Sequence, residues 1–391
     1  MLNVLWMSMN LPGDELIKIH KRNRIISDKT ANEKMTYDIT LFPNTLSPWF
    51  SQVYAGLYDL QRAGKADISL STRFKYPQLV DATSLAIEVK EKATDRTLRI
   101  LVDLNDNRNL SVPSVTDWFD VIVKRSFHPP TLEKLPEKAR NKIIPYGLNF
   151  NCGSRAMPVM TLFLNHQLVR LKNLGKLNLK KHKFVFQHQL RFLFYLFKNN
   201  LSLHEDDFMG TPGGLTKNRI FFITRLFSRG NDLTEFSYNR IELLKKLKKE
   251  FGDSFLGGVV RNSLSEKYCP RDLLCEKVSR REYTTMLRES DIAICTLGVG
   301  ESNPWKLGEA VAGARCIVTE PLRFKLPNDL EEGVHVKTFV TNDECVQACA
   351  ELLEQPELVR QMKENTQDYY EQYVRSDRLV ERFLVESLLR Y

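Results

Sequence analysis

Several signatures are missing from this sequence, and each absence narrows what the chain can be. No apolar stretch reaches the ~18 residues that cross a bilayer, so no transmembrane helix is expected. Met1–Met9 is apolar but short, with Asp14 and Glu15 close behind, so no signal peptide is expected. The absence of a Gly-x-x-x-x-Gly-Lys-Ser/Thr loop argues against a P-loop ATPase, and Leu297-Gly-Val-Gly lacks the rest of a dinucleotide fingerprint. The seven cysteines (Cys152, Cys269, Cys275, Cys295, Cys316, Cys345 and Cys349) include no Cys-x-x-Cys pair. Cys345 and Cys349 lie one helical turn apart, a spacing that alone makes no metal site. An odd number of cysteines, some inside apolar runs, fits a reducing cytoplasm. Internal repeats and low-complexity tracts are absent.

What is present is an ordinary globular composition, 42% apolar and 27% charged. A length of 391 residues argues for two domains, since single cores seldom grow past roughly 250–300 residues. The net charge of +9 points to an anionic partner. Nucleic acid, acidic lipid and phosphorylated small molecules all satisfy it, and composition does not choose among them.

Strand-like and helix-like patterns alternate along the chain, which predicts an α/β fold. In the first part, 37–41, 68–70, 84–89, 98–102, 120–124 and 143–146 read as strands. A loop at Asn44, Ser47 and Trp49 leads into a helix to Arg62 with Val53, Leu57 and Leu60 on one face. Residues 151–215 differ. They carry a basic, aromatic segment at 180–198 and end in the breaker Thr211-Pro-Gly-Gly. That segment reads either as a membrane-surface helix or as an insertion packed on the first domain. A second α/β unit begins at 216. Its expected strands are 220–224, 255–260, 276–278, 292–296, 316–318 and 334–339, and 356–391 reads as one long helix.

The stretch Gly300-Glu-Ser-Asn-Pro-Trp-Lys-Leu-Gly-Glu is the densest in chemistry. It runs from a loop through a helix start into Cys316-Ile-Val-Thr, so its polar groups fall at the carboxyl edge of a parallel sheet, where open α/β sheets bind ligands. A helix start there also offers free N–H groups to a phosphate.

With these features in order (Thr224-Arg-Leu-Phe after a strand, Ser290-Asp-Ile-Ala-Ile-Cys, the spaced glutamates, Glu309-Ala-Val-Ala-Gly and a terminal helix), the chain resembles the GT-B glycosyltransferases. Its C-terminal half looks like the group-one sugar transferases of bacterial surface polysaccharide assembly. The resemblance is fair over 216–391 and loose over 36–150. It implies two Rossmann-like domains facing a cleft: an acceptor domain at 1–150, an insertion and linker at 151–215, a donor domain at 216–375, and a terminal helix at 376–391 crossing back to the first domain. It further implies a nucleoside diphosphate or monophosphate sugar as co-substrate and a saccharide or lipid-linked saccharide as acceptor. No metal or other cofactor is expected, nor a nucleic-acid partner, and the setting is the cytoplasm at the inner face of the plasma membrane. No Asp-x-Asp follows a strand, which weighs against metal-dependent transferases of the other common architecture.

Residue roles follow from the same resemblance. Arg225 is expected at the donor phosphate, because guanidinium binds oxyanions in a planar fork. Lys306 is expected to assist the leaving diphosphate. Ser302 and Asn303, with the N–H groups of Leu307 and Gly308, are expected to cradle it. Glu309 would accept the ribose hydroxyls, and its removal is expected to leave the fold intact. Glu301 would face the sugar ring, as in retaining members, although Asn303-Pro-Trp-Lys departs from the usual Phe-Gly pattern. In the first domain, Asp103, Asp106 and His128 are candidates for a general base. Each of these residues also has an ordinary reading as a turn former, cap or solvated side chain. A sugar-nucleotide epimerase on the same fold, and a basic nucleic-acid-binding protein, are the alternative functions.

Overall fold

A computed structural model describes residues 36–80, 82–110, 114–173, 194, 203–211, 219–230 and 232–390. The segment 180–198, apart from Phe194, and most of the Thr211-Pro-Gly-Gly breaker lie outside the described residues.

The first sheet contains β1 (Tyr37–Phe42), β2 (Ala66–Leu70), β3 (Ser84–Glu91), β4 (Thr97–Asp103), β5 (Val121–Lys124) and β6 (Ile143–Pro145) in the order β2-β1-β3-β4-β5-β6. Five strands run the same way, whereas β3 is antiparallel to both β1 and β4. This strand departs from a fully Rossmann-like first domain. Only a five-residue turn joins β3 to β4, too short for the helical crossover that a parallel neighbour needs. Helix α1 (Ser51–Arg62) buries Val53, Leu57 and Leu60 against the sheet.

Helix α2 (Val159–Asn173) adds Val159, Leu162 and Phe163 to the same core and turns Met160, Leu164, Leu168 and Leu171 outward.

The second domain is built from β7 (Ile220–Thr224), α3 (Glu235–Phe251), β8 (Phe255–Val260), β9 (Leu274–Cys275), α4 (Arg280–Arg288), β10 (Ile292–Cys295), α5 (Trp305–Ala312), β11 (Cys316–Thr319), β12 (Val336–Thr338), α6 (Asn342–Leu353) and α7 (Pro356–Tyr369). The six strands of its sheet are all parallel, in the order β9-β8-β7-β10-β11-β12, and a two-residue antiparallel pair, Ser228–Arg229 with Asp232–Leu233, stands apart from it. Chain order outward from β7 reverses between β7 and β10, and that reversal is the topological switch point at which such sheets bind ligands. The third strand falls at Leu274–Cys275 and not at 276–278. Val259 and Val260 fix its register, and the chain turns away at Glu276.

The long helix expected over 356–391 is two helices. After α7 the backbone widens into a π turn at Tyr370–Val374, extends at Arg375 and restarts as α8 (Ser376–Arg390). Apolar residues recur across the break, so periodicity conceals it. The break lets the chain cross to the first domain, where Leu379, Val380, Phe383, Leu384 and Leu388 join the core beneath α1. Gln52 Nε2 donates to Val374 O at 2.8 Å, and Arg382 Nη2 donates to Tyr146 O at 2.5 Å. Gly56 on α1 allows this approach, since a Cβ there would sit 2.1 Å from Ser376 O. Two α/β domains, a cleft between them and a terminal helix returning to the first constitute the GT-B architecture.

Gly56→Ala is therefore expected to destabilise the protein. Helix propensity alone would favour alanine by about 0.5–1 kcal/mol, whereas overpacking of this kind costs about 1–3 kcal/mol. Thermal denaturation should show a lower Tm; an unchanged or raised Tm would contradict the close approach.

Candidate active site

The carboxyl ends of β7 and β10 frame the site. These strands pair only through Ile292 with Ile220 and Ala293 with Phe221, and beyond that they splay. Arg240, on α3, fills the gap. Its Nη1 donates to Arg225 O (3.0 Å), its Nη2 to Leu297 O (2.8 Å) and its Nε to Thr296 Oγ1 (3.1 Å). Burial holds this guanidinium below its usual pKa, at about 10. Sequence reasoning passed over Arg240. The available signal was its register, since it occupies the same face of α3 as Ser237, Leu244 and Leu247.

Around this clamp the structure gathers positive charge. Arg225 directly follows β7, with its side chain exposed. Lys306, in the first turn of α5, directs its Nζ inward, 5.2 Å from the centroid of the Phe222 ring, while part of its side chain remains open. Burial, then Arg240 and Arg225, lower its pKa to about 7. Among the described residues no carboxylate forms an ion pair with Arg225, Arg240 or Lys306.

Glu309, one turn further along α5, is 2% exposed. Its Oε1 accepts from Arg280 Nη1 at 2.7 Å, and Arg280 also lies over the rings of Phe208 and Tyr283. The expectation of an open cleft carboxylate is thus corrected: Glu309 is buried and paired with the partly exposed Arg280. The sequence offered no signal for Arg280 beyond its place after the Ser279 cap.

The expected cradle is partly committed elsewhere. The Leu307 N–H donates to Pro304 O at 3.0 Å, so it is not free for a phosphate. Gly308 permits contact with the first domain, since a Cβ there would lie 3.1 Å from Asn149 O. Ser302 is buried, and its carbonyl closes a turn by accepting from Gly298 N–H at 2.8 Å. Asn303 is buried too. Its carbonyl accepts from Arg125 Nη2 at 2.7 Å and its Nδ2 donates to Phe324 O at 3.3 Å, which leaves Oδ1 without a partner among the described residues. Trp305 packs edge-on against Trp49 of the first domain, with centroids 5.4 Å apart.

Glu301 stands on the rim in the left-handed region, at φ 61°, a conformation uncommon for residues other than glycine. Its carboxylate reaches across the cleft to Arg108 of the first domain and lies 3.7 Å from Arg323. His128 lies nearby. Its Nδ1 shares a hydrogen bond with Thr131 Oγ1 at 2.8 Å, and its ring meets Phe324 edge-on. Burial and the charge of Arg108 lower its pKa, so the imidazole is neutral near pH 7. Asp103 is corrected as a base: it is wholly buried, in register with Lys124 across β4 and β5, and 3.4 Å from its ammonium. Asp106 pairs with Arg125. Asn44 is structural, bonded to Leu79 O, Ser84 O and Ala86 N–H. Among the described residues no cluster of three or more His, Cys, Asp or Glu is placed to hold a metal ion, and no helix is long and apolar enough to cross a membrane.

No family model and no curated protein matches the sequence. Several solved structures share its backbone arrangement in part. A glycosyltransferase from Rickettsia africae is 10% identical over 87% of this chain and 82% of that one, with a TM-score of 0.42. A UDP-GlcNAc 2-epimerase from Neisseria meningitidis, bound to UDP-GlcNAc, is 17% identical over 71% of this chain and 63% of that one, with a TM-score of 0.35. TarM from S. aureus, in complex with fondaparinux, an α-GlcNAc-glycerol and UDP, is 11% identical with a TM-score of 0.35; the match takes in 46% of this chain and 37% of TarM's length. Identities are low and the superpositions partial, so the architecture rests on the strand order, the cleft and the returning helix: this chain has the GT-B fold.

Proposed function

We propose that the protein is a glycosyltransferase that moves a sugar from a nucleotide-activated donor to a saccharide or lipid-linked saccharide acceptor in surface polysaccharide assembly, without a metal. The observation that carries this reading is the group of three cations at the switch point, Arg225, Arg240 and Lys306, none of them paired with a carboxylate among the described residues. Preorganised cations aimed at developing charge are a large term in catalysis, and here they face the place where a leaving diphosphate gains it.

In this reading the diphosphate lies against Lys306 and Arg225, and the ribose lies toward Glu309, whose orientation Arg280 fixes. The acceptor hydroxyl attacks the anomeric carbon. The bond from that carbon to phosphate oxygen breaks, the nucleotide leaves with the electron pair, and the hydroxyl proton passes to the neutral imidazole of His128. Transfer of this kind inverts the anomeric centre. Retention of configuration, read by NMR of the product, would remove His128 from the role and assign Glu301 to the sugar. The outward leucines of α2 support a lipid-linked acceptor.

The first test is thermal protection by UDP, GDP and CMP set beside duplex and single-stranded DNA. Saturable protection by a nucleotide alone is the expected result, and protection by DNA alone would support the nucleic-acid-binding alternative. Turnover of a nucleotide sugar to its epimer without an acceptor would favour the epimerase.

Lys306 makes binding depend on pH. Its pKa in the free protein is about 7, and a bound anion raises it. Below the free value lysine is charged in both states. Above it, binding must recruit a proton, so nucleoside diphosphate affinity should fall by up to about tenfold per pH unit until the bound pKa is passed. The phosphate's own ionisation, near 6, is already complete there. Calorimetry in buffers of different ionisation heat should show proton uptake approaching one per site, abolished in Lys306→Met; binding without uptake would refute the assignment.

Glu309 separates binding from stability. Glu309→Ala leaves a partly buried guanidinium short of a partner, at a cost of about 1–3 kcal/mol, so both Tm and transfer should fall. Glu309→Gln keeps the shape and should retain most of the Tm while losing nucleotide affinity. Wild-type turnover in either variant would remove Glu309 from the donor site.

A further inference from the structure

At Arg108 the first domain holds a pocket of ≈ 800 Å³, walled by residues 107–110 after β4, by Thr116 and Asp117, and by the short helical turns Pro129–Leu132 and Glu137–Arg140. Leu110, Leu132 and Leu135 supply apolar lining. Its charged lining is Arg108, Lys134, Lys138 and Lys142 against one carboxylate, Asp117. Lys142 does not pair with Asp117; its Nζ donates to Thr116 O at 2.6 Å and to Phe119 O at 3.0 Å. The lining is therefore net positive, even with Arg108 paired to Glu301, over a concave, part-apolar surface of the size that takes a small ligand.

Two of the lining residues tie this pocket to the cleft. Thr131 holds Nδ1 of His128. Arg108 is bound to Glu301 across the rim, with both side chains more than two-fifths exposed. A pair so exposed is worth little and exchanges readily for another anion.

We infer that this pocket binds an anionic group carried by the acceptor, and that the acceptor is an anionic saccharide whose charge draws Arg108 away from Glu301. The inference rests on the transferase reading, since it assigns the acceptor of that same cleft. An acceptor seated there brings its hydroxyl beside His128, while release of Arg108 frees the Glu301 carboxylate on the donor side. Neutral saccharides lack the group that makes this exchange. Phosphate and carboxylate share the required chemistry.

Saturation-transfer NMR on the full chain, with the donor pocket filled by UDP, tests this with mannose 6-phosphate, glucuronate and mannose as probes. The expected result is contact from one or both anionic sugars and none from mannose, lost at high salt and lost in the double variant Lys134→Glu/Lys138→Glu. Response to mannose 6-phosphate alone assigns phosphate, and response to glucuronate alone assigns carboxylate. UDP protection of that variant, measured in parallel, should match the wild type and so establish that it is folded. Equal contact from mannose, no contact from either anion, or undiminished contact in the double variant would each overturn the inference. Failure of UDP to bind, with mannose 6-phosphate contact retained and lost in the double variant, would sink the transferase reading and leave the anion pocket standing.

Discussion

Where β7 and β10 diverge, the sheet loses its ladder hydrogen bonds, and the guanidinium of Arg240 takes their place. Three hydrogen bonds from a charged donor, each worth roughly 1.5–3 kcal/mol, offset a desolvation cost of several kcal/mol for burying the group. They keep the strand ends at a fixed separation and leave a positive charge that, among the described residues, no carboxylate pairs with. Everything proposed for the donor side follows from that residual charge. With burial as the larger cause, it lowers the basicity of Lys306 and gives an incoming anion something to neutralise. Nearby, Glu320 accepts from Leu297 N–H, so the loop leading to Glu301 is held from both sides.

The two domains meet through a set of directional contacts and one buried apolar cluster that Leu148 and Phe150 share with Phe221, Ile223, Leu307 and Val311. Arg125 links Trp49, Asp106 and the Asn303 carbonyl, and Trp49 meets Trp305. Gly308 lets α5 lie against Asn149 and Phe150. Glu301 and Arg108 close the rim. The inner contacts are buried and geometrically demanding, and the outer one is exposed and exchangeable. That gradient suits a cleft that admits ligands at its edge while its floor stays in register.

Much of the fold was legible because buried parallel strands are short apolar runs. Ile220–Thr224 and Phe255–Val260 match the expected ranges, and Ile292–Cys295 and Cys316–Thr319 differ from them by one residue. The break at Arg375 was hidden because the apolar spacing continues through it, and its cause, the approach of Ser376 to Gly56, is more than three hundred residues away in sequence. The place of the candidate site at a strand end was also legible, since Lys306 and Glu309 follow β10 in sequence. The arginines around them were not, because Arg280 reaches Glu309, and Arg240 the strand ends beside Lys306, only through the packing of α4 and α3. Asp103 misled because a carboxylate at a strand's end reads as solvent-facing until its cross-strand neighbour proves to be Lys124.

The return of α8 has a consequence for biosynthesis. Beneath α1 the first domain's core lacks Leu379, Phe383 and Leu384 until they are made. A ribosome adding about 5–20 residues per second therefore exposes that unfinished apolar surface throughout translation of the second domain. The second sheet, whose strands are contiguous in sequence, is free to mature first. The order of completion in the cell is then the reverse of the order of synthesis, and the nascent first half is the part that calls for chaperone protection.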